Sequence, residues 1–432
     1  MARSKSHGRE AAPAAAVRRL SLPWLPTGLT LLLLITAVFA VDPIRDAATG
    51  GNVGEMRLAA PISYFVIAPL SSSFDTLTLL TVGQHIALLL WTIGLFALVR
   101  VLLAQRRSTT VRREIVASGL LLLGIFVTYA AATLLPRPMA QLVSSDSEVL
   151  IADFHAHTKY SHDGRPDWAE DDVRAWYHGA GFNAAYITDH RTFEGAQRGV
   201  LSNAGQAGEN TVLLQGIEAF YKGEHVNVLG AGRRFRGLLD PTLKDVDADA
   251  LRLTSIIPAT APTLIETIPG KLDAVRTIAA TDTSPGVSAI EIVDGSPRGL
   301  SQTRRDRDRI VYLADSLNLA LVTGSDNHGW GYAAAGWTLL RVPGWRGMRP
   351  DSLSSRVEQI LHFGRREATR VVERRVAGAG FFGLVAAGPV IVWRMLTTLS
   401  SDERVAWLIW VWAIFALSRV VKRARLRPSA TA

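Results

Sequence analysis

Long runs without a charged side chain are the feature that most restricts the fold of this 432-residue chain. Three of them fall in the first 135 residues, at Trp24–Val41, Thr76–Val99 and Ile115–Leu135. About 20 consecutive apolar residues are enough for a helix to cross a bilayer. We therefore predict about three transmembrane helices in residues 24–135. The first run follows a basic stretch, as a signal peptide does, but its flank lacks a convincing small-residue cleavage site, which favours an anchor.

Two further apolar segments lie near the C-terminus. Val376–Trp393 is long enough to span, whereas Val405–Ser418 is shorter and rich in Trp, so it either spans or lies in the membrane interface. We predict membrane segments within 376–421, followed by a basic tail at 422–432. A second basic tail, at 1–23, precedes the first apolar run.

The net charge of +9 comes from clusters of Lys and Arg beside the apolar runs, at 1–20, 100–114, 365–375 and 419–427. Elsewhere acidic residues outnumber basic ones, so the charge predicts membrane flanks and no nucleic-acid partner. The first two clusters favour the cytoplasmic side, and three spans then place the following domain outside the cytoplasm. The two C-terminal clusters oppose this orientation. We predict an integral, multi-pass protein of the cell membrane with an extracytoplasmic domain.

Residues 144–364 have the composition of a globular domain, in which short β-branched or apolar runs alternate with helical stretches. This alternation predicts an α/β domain with a largely parallel sheet, and the length fits a closed barrel. The predicted strands are Glu148–Phe154, Ala184–Thr188, Val212–Gly216, Val226–Leu229, Ala289–Val293 and Leu319–Thr323. The predicted helices are Trp168–His178 and Arg304–Leu317, and the segment 233–287 has no assignment.

Side chains that bind metals follow several of these strands. An H-x-H pair at the end of a strand points both imidazoles to one face, because side chains repeat every two residues. The candidate ligands are His155, His157, Asp163, His190, Glu218, His225, Asp326 and His328. Since barrel active sites form at the carboxyl ends of strands, these groups predict one metal centre. The chain has no cysteine, which excludes thiolate ligands, and no G-x-S-x-G, Walker or dinucleotide-binding motif.

Together the motifs D-x-H-x-H-T-x-Y-S-x-D-G, T-D-H, G-I-E, G-x-H-V-N-V-L-G and G-S-D-x-H resemble the polymerase and histidinol phosphatase (PHP) superfamily, particularly its carbaryl-hydrolase-like branch. The resemblance covers about residues 148–330. It implies a distorted (β/α)7 barrel, here inserted between N-terminal and C-terminal transmembrane helices. It also implies two or three divalent ions (Zn, Mn or Fe) and the hydrolysis of phosphoesters or related esters.

The resemblance also implies how the ligands are shared. One metal would take His155, His157, Glu218 and Asp326; Glu218 would bridge to a second metal with His225; a third would take Asp163, His190 and His328. His162 is an alternative to Asp163. Asp153 is expected to orient His155 or His157 rather than to bind metal.

One departure from the family pattern concerns the second metal. Many members supply a further histidine after the position of His225, but this chain has none from 226 to 327. The second site lacks a ligand unless Asp282, Asp294 or water replaces it. The chain is therefore expected to bind either two metals, or three of which the second is weakly held.

These observations predict a membrane-anchored metal-dependent hydrolase, with a phosphoester as substrate and a metal-activated water as nucleophile. Lys159 and Arg191 lie beside ligands in the sequence and either hold phosphate oxygens or are solvated surface charges. The substrate is expected to be a small-molecule or lipid-linked ester. Two alternatives stay open: a carbamate or carboxylic-ester hydrolase, and a catalytically reduced, metal-stabilised binding or sensing module.

Overall fold

The computed structural model describes residues 23–106, 110–190, 192–221, 224–230, 263–268, 287–376 and 385–425. Two regions can be distinguished among these residues. One is a curled, mixed β-sheet with helices packed on it, and the other is a group of apolar helices from both ends of the chain.

Twelve strands are present among the described residues. They are β1 (Ile44–Asp46), β2 (Met56–Ala59), β3 (Gln141–Ser144), β4 (Val149–Ala156), β5 (Ala184–Ile187), β6 (Val212–Tyr221), β7 (Glu224–Leu229), β8 (Thr263–Glu266), β9 (Ala289–Asp294), β10 (Ala320–Gly324), β11 (Gly336–Arg341) and β12 (Arg370–Arg374). Ten of them form one sheet in the order β1-β12-β11-β4-β5-β6-β7-β8-β9-β10, while β2 and β3 pair separately. Each of the six predicted strands is confirmed: β6 extends five residues beyond its predicted end, and the other ends shift by at most two residues.

The sheet brings the ends of several strands to one edge. Strands β4, β5 and β6 are parallel, and so are β8, β9 and β10, whereas β7 is antiparallel to both of its neighbours. The sheet curls until the ends of β4 and β10 meet: the Asp326 amide donates to the His155 carbonyl at 3.0 Å, and the His157 amide to the Asn327 carbonyl at 3.1 Å. The α/β class is thus confirmed, as a curled half-barrel of ten strands with mixed directions.

The chain's helices, in order along the described residues, are α1 (Trp24–Val38), α2 (Ile62–Val66), α3 (Ala68–Thr78), α4 (Val82–Arg106), α5 (Val111–Leu134), α6 (Glu170–Gly179), α7 (Glu194–Leu201), α8 (Pro297–Leu300), α9 (Arg304–Leu317), α10 (Pro350–Gly364), α11 (Ala387–Thr398) and α12 (Ser401–Arg425). Helix α9 has the predicted bounds because Thr303 and Asp306 form a capping box at its start and Asn318 ends it with φ 55°.

Three described helices are long and apolar enough to cross a membrane, over Val82–Gln105, Val111–Leu134 and Ser401–Lys422. Two predicted spans need correction. The Thr76–Val99 run is not one helix, because α3 ends at Thr78 and Thr81 and Gln84 form a capping box that starts α4. Helix α1 has 15 residues, about 22 Å at 1.5 Å per residue, and is shorter than a typical span.

At the C-terminus, the long described helix contains the shorter of the two predicted membrane segments. Within Val376–Trp393, residues 377–384 lie outside the described part, and the helix that follows, α11, has only 12 residues. The shorter run Val405–Ser418 lies inside α12, whose polar first turn and basic last turn extend it to 25 residues. Therefore the long C-terminal helix is the one that sequence length alone disfavoured.

A group of buried charges joins the helices to the sheet, and we call Tyr64, Asp75, Arg137 and Arg374 the junction cluster. Asp75 on α3 accepts from Arg137 at 2.9 Å, from Arg374 on β12 at 3.0 Å and from the Tyr64 hydroxyl at 3.1 Å. All three charged side chains are nearly inaccessible to solvent. The 365–375 basic cluster thus contributes at least one residue to internal packing rather than to a membrane flank.

Candidate metal centre

The centre starts from strand β4. Its residues from Leu150 to Ala156 are all buried, and alternate side chains point to opposite faces. His155 and His157 therefore lie on the same face, both almost completely buried, with their Nε2 atoms 3.1 Å apart. Two imidazole nitrogens this close share either a proton or a cation.

Two carboxylates from other strand ends reach the same point. Glu218 Oε2 on β6 lies 2.8 Å from His155 Nε2 and 3.3 Å from His157 Nε2. Asp326 follows β10 in a left-handed conformation, with φ 46°, and its Oδ1 lies 3.3 Å from His155 Nε2 and 3.1 Å from His157 Nε2. Four ligand atoms from three strands thus converge within about one coordination radius of a common point.

His190 and His225 lie on either side of Glu218. His190 follows β5 and is held beside β6 by a bridge to Glu218; its Nε2 is 3.3 Å from Glu218 Oε2. His225 on β7 is half-buried, and its Nδ1 is 2.8 Å from the other oxygen, Oε1. Because β6 and β7 are antiparallel neighbours, the hairpin sets this distance. Glu218 consequently has histidines at both of its oxygens.

Asp163 and His328 form the solvent-facing rim. His328 Nε2 lies 3.2 Å from Asp163 Oδ2, and His190 Nε2 lies 3.7 Å from the same oxygen. Ser161 donates to Asp163 Oδ1 at 2.6 Å and so fixes the carboxylate. Asp163 is exposed, whereas the ring of His328 stacks on His157 with centroids 4.1 Å apart. All eight predicted ligands therefore belong to one contiguous cluster.

The charges of this cluster are those of a site for a cation. Burial opposes a charge on His155, but Glu218, Asp326 and Glu291 outweigh it and raise the pKa of His155 well above its usual value. Burial also opposes a charge on His157, but the carboxylates of Asp326 and Glu218 outweigh it and raise the pKa of His157 to about 9. The nearby imidazoles hold the pKa of Glu218 and of Asp326 below the usual range.

A divalent ion satisfies the same atoms without protons. Ligand atoms at about 2.0–2.1 Å from a tetrahedral metal lie roughly 3.3 Å apart. The Nε2 atoms of His155 and His157 lie 2.8–3.3 Å from each other and from one oxygen each of Glu218 and Asp326. Mixed imidazole and carboxylate ligands suit Zn²⁺, Mn²⁺ or Fe²⁺. The residues present thus fit the metals that the motifs predict. His190 differs from its neighbours, since burial lowers its pKa to about 4 and leaves it neutral, as a ligand must be.

Glu291 was missed by the sequence analysis. It lies on β9, and its Oε1 is 3.0 Å from His155 Nδ1, while burial raises its pKa to about 8. A carboxylate on the far nitrogen of a ligand histidine fixes its tautomer and orientation. The available signal was the alternation in Ala289–Asp294, which points Glu291 to the face that carries His155.

Two supporting aspartates are placed differently from their predicted roles. Asp153 accepts from the Tyr177 hydroxyl at 2.8 Å, the Ser325 amide at 2.9 Å and the backbone amide of His155 at 3.3 Å. It therefore joins β4 to the end of β10, and its hydrogen bond with His155 is to the backbone rather than to the imidazole. Asp294, a candidate substitute beside His225, groups instead with His155 and Glu291. Asp282, the other candidate, lies outside the described residues.

The remaining candidates lie at the edge of the site or beyond it. Lys159 is exposed, with its Nζ 5.2 Å from the centre of the Tyr160 ring. Arg191 lies outside the described residues. His162 is exposed, with its Nδ1 3.9 Å from Asp163 Oδ1 and its ring edge-on to that of His190 at 5.1 Å between centroids. Asp163 rather than His162 lies within 4 Å of the Nε2 atoms of both His190 and His328.

Comparisons with known proteins give only distant likenesses. No family model matches the chain, and no curated protein matches it significantly. Among solved structures, PsfC from Pseudomonas syringae aligns with 17% identity and a TM-score of 0.33, over 57% of this chain and 97% of PsfC. A protein from Bifidobacterium adolescentis, provisionally named a metal-dependent phosphoesterase, aligns with 16% identity and a TM-score of 0.29, over 49% of this chain and 96% of its own.

Proposed function

We propose that this chain is a membrane-anchored, metal-dependent phosphoesterase with a PHP-type (β/α)7 architecture at its metal-binding end. The observation that supports this most is the buried pair His155 and His157, whose Nε2 atoms lie 2.8–3.3 Å from each other and from carboxylate oxygens of Glu218 and Asp326. Buried charges of this density are stable only when paired or bound to a metal. The cluster also has an exposed rim, as a reaction site needs and a purely structural metal site does not.

Different side chains of the site would bind the metal ions, orient their ligands and hold the substrate. Bound divalent ions would neutralise phosphoryl oxygens and make water a nucleophile near neutral pH. Glu218, with histidines at both oxygens, would bridge two ions, and Asp163, His190 and His328 would hold another ion toward the rim. Glu291 would keep His155 oriented through its Nδ1. Lys159 and Arg191 are proposed to hold oxygens of the substrate.

The proposed orientation keeps the metal centre outside the cytoplasm. Thr133, near the end of α5, accepts from Gly331 beside the metal rim, and Glu403, near the start of α12, bonds to Ser72 on α3. The described residues of the basic clusters 100–114 and 419–427 lie at the opposite ends of these helices. That arrangement supports a cytoplasmic location for both clusters. A reporter active only outside the cytoplasm, fused after Ser145, should be active; activity of a cytoplasmic reporter there instead would reverse the orientation.

The function is tested on the purified full chain, stripped of metal and then given Mn²⁺ or Zn²⁺. We expect metal-dependent hydrolysis of a generic phosphomonoester or phosphodiester, and slower hydrolysis of carboxylic esters and carbamates. Preference for a carboxylic ester or carbamate would favour the alternative hydrolase. Tight metal binding without turnover of any ester would favour the sensing module.

A further inference from the structure

A cavity of about 600 Å³ connects the metal centre with the helices, which is a usual size for a ligand pocket. Asp163, Asp326 and His328 line one part of it. The start of α4, with Val82, and the end of α5, with Ala132, line another. The same space therefore touches predicted metal ligands and two helices long enough to cross a membrane.

The apolar wall of the cavity includes Leu77, Leu80, Leu300 and Ala333, and polar side chains such as His85 and Tyr129 also line the space. On the outer faces of α4 and α5, almost no residue is buried and large aliphatic side chains are exposed. An apolar surface of this kind is stable against lipid or against an apolar ligand, and costly against water.

The rim is fixed to the helices by direct contacts. The Gly331 amide donates to the Thr133 carbonyl at 2.9 Å, and Trp176 Nε1 donates to the Gly331 carbonyl at 3.1 Å. A Cβ at Gly331 would meet Thr78 at 3.1 Å, and φ at this residue is +80°, so the loop approaches α3 closely. The distance between the ligands of the rim and the apolar wall is thus set by the fold.

We propose that the cavity holds the apolar chain of a membrane-embedded amphiphile, so that the substrate is a lipid phosphoester. Its phosphoester group would lie beside Asp163, Asp326 and His328, and its chain would extend along Leu80, Leu300 and Ala333 toward α4. Hydrolysis breaks one P–O ester bond, adds the hydroxyl of water to phosphorus and gives its proton to the leaving oxygen. This inference rests on the proposed phosphoesterase function, which determines the chemistry expected at the headgroup. The apolar part of the cavity is the observation that favours a lipid over a water-soluble ester.

The first test measures binding without turnover. Metal-free full chain in detergent is exposed to a long-chain alkyl phosphate with a photoreactive group at the end of its chain, and crosslinked peptides are mapped. We expect crosslinks at the start of α4 and near Leu300 and Ala333. Ala333→Trp fills the cavity and should reduce them about ten-fold, since hydrophobic pockets discriminate by such factors. Leu300→Trp serves as a second filling variant in case the first does not fold.

The matched control is Ala97→Trp, which makes the same change on the exposed face of α4. It should leave the crosslinks unchanged. Crosslinks that spread over all lipid-facing helices, or that both filling variants leave intact, would overturn the proposal.

The second test compares a short-chain and a long-chain alkyl phosphoester. We expect kcat/KM to be higher for the long chain, and the long-to-short ratio to fall about ten-fold in Ala333→Trp but not in Ala97→Trp. A ratio near one in the unaltered chain would exclude a lipid substrate while leaving the phosphoesterase intact. Absence of turnover with both esters, together with specific crosslinks, would contradict only the phosphoesterase function.

Discussion

The metal centre and the junction cluster are both buried groups of charges, yet they are balanced in opposite ways. In the junction cluster, Asp75 meets two guanidinium groups and a hydroxyl, so the chain supplies its own counter-charges. In the metal centre, carboxylates face imidazoles instead: Glu218 and Asp326 each lie within 3.3 Å of both His155 and His157. The first arrangement stabilises a joint between two regions. The second needs protons or an added cation to balance its carboxylates, as expected of the proposed metal site.

The largest expected effect comes from removing both imidazoles of β4. His155→Ala with His157→Ala takes away two of the four converging ligand atoms, so we expect activity to fall by roughly a thousandfold or more, with loss of bound metal. Enzyme assays and metal analysis of the purified protein measure this. His178→Ala changes an exposed histidine on α6 and should alter neither. A double variant with normal turnover and metal content would show that the centre lies elsewhere.

The next largest effect is a loss of folding stability when the junction cluster, rather than the metal centre, is altered. Asp75→Asn keeps the size of the side chain but leaves Arg137 and Arg374 buried without their counter-charge, which should cost about 3–5 kcal/mol of unfolding free energy. Metal content per folded molecule should be unchanged. Asp315→Asn breaks a surface pair with Arg366 and should cost less than about 1 kcal/mol. Equal unfolding of the two variants would mean that the junction cluster does not hold the regions together.

A smaller effect is expected from the carboxylate behind His155. Glu291→Gln keeps an acceptor for Nδ1 but removes a carboxyl group that can ionise when a metal replaces the protons of the site. The resulting anion would make the imidazole a stronger ligand, so metal affinity should fall about 10–100-fold in the variant. Titration of metal-free protein with Mn²⁺ measures this. Glu266→Gln is the matched control, because Glu266 is also buried with a pKa raised to about 8, yet it contacts no predicted ligand. Equal losses in both variants would assign the effect to burial alone.

The smallest effect is a pH dependence of the metal-free protein. The contribution of His157 is complete below its usual pKa of 6.5 and is lost as pH rises through about 9. Glu291 acts in the same direction, because it stays protonated in the folded state up to about pH 8 and ionises near 4.5 when unfolded. We therefore expect the melting temperature to fall, on the order of a few degrees, from pH 6 to pH 9. Added Mn²⁺ should reduce this fall, since bound ligands carry no protons; the same fall with and without metal would contradict the assignment.

The sequence predicted six of the twelve described strands, for a physical reason. Each of the six predicted strands is present because short apolar runs bounded by polar residues have few alternatives to a buried strand. The ligands could be found because they follow strands at short, regular spacing. Whether Thr76–Val99 is one helix depends on a side-chain cap between Thr81 and Gln84 inside an uncharged run. Hydropathy alone does not detect such a cap.

Glu291 and the junction cluster were beyond the reach of sequence reasoning. Glu291 is 136 residues from His155 in the sequence. The two arginines that donate to Asp75, Arg137 and Arg374, are 62 and 299 residues away from it. A single acidic or basic residue at such a distance gives no local signal, because the pairing exists only once the sheet has curled. Local patterns predict which residues lie on a face, and the closure of the sheet decides which faces meet.

Under the proposed membrane anchoring, the hydrogen bond from Gly331 to Thr133 would couple the candidate metal site to the thickness of the bilayer. Helix α5 has 24 residues, about 36 Å, which exceeds a hydrocarbon layer of about 30 Å, so it would adapt to thickness by tilting. Thr133 lies at the end that moves during a tilt, and Gly331 is three residues from His328. Turnover in reconstituted vesicles should therefore vary with the length of the lipid acyl chains, because tilting of α5 would displace the loop that carries His328.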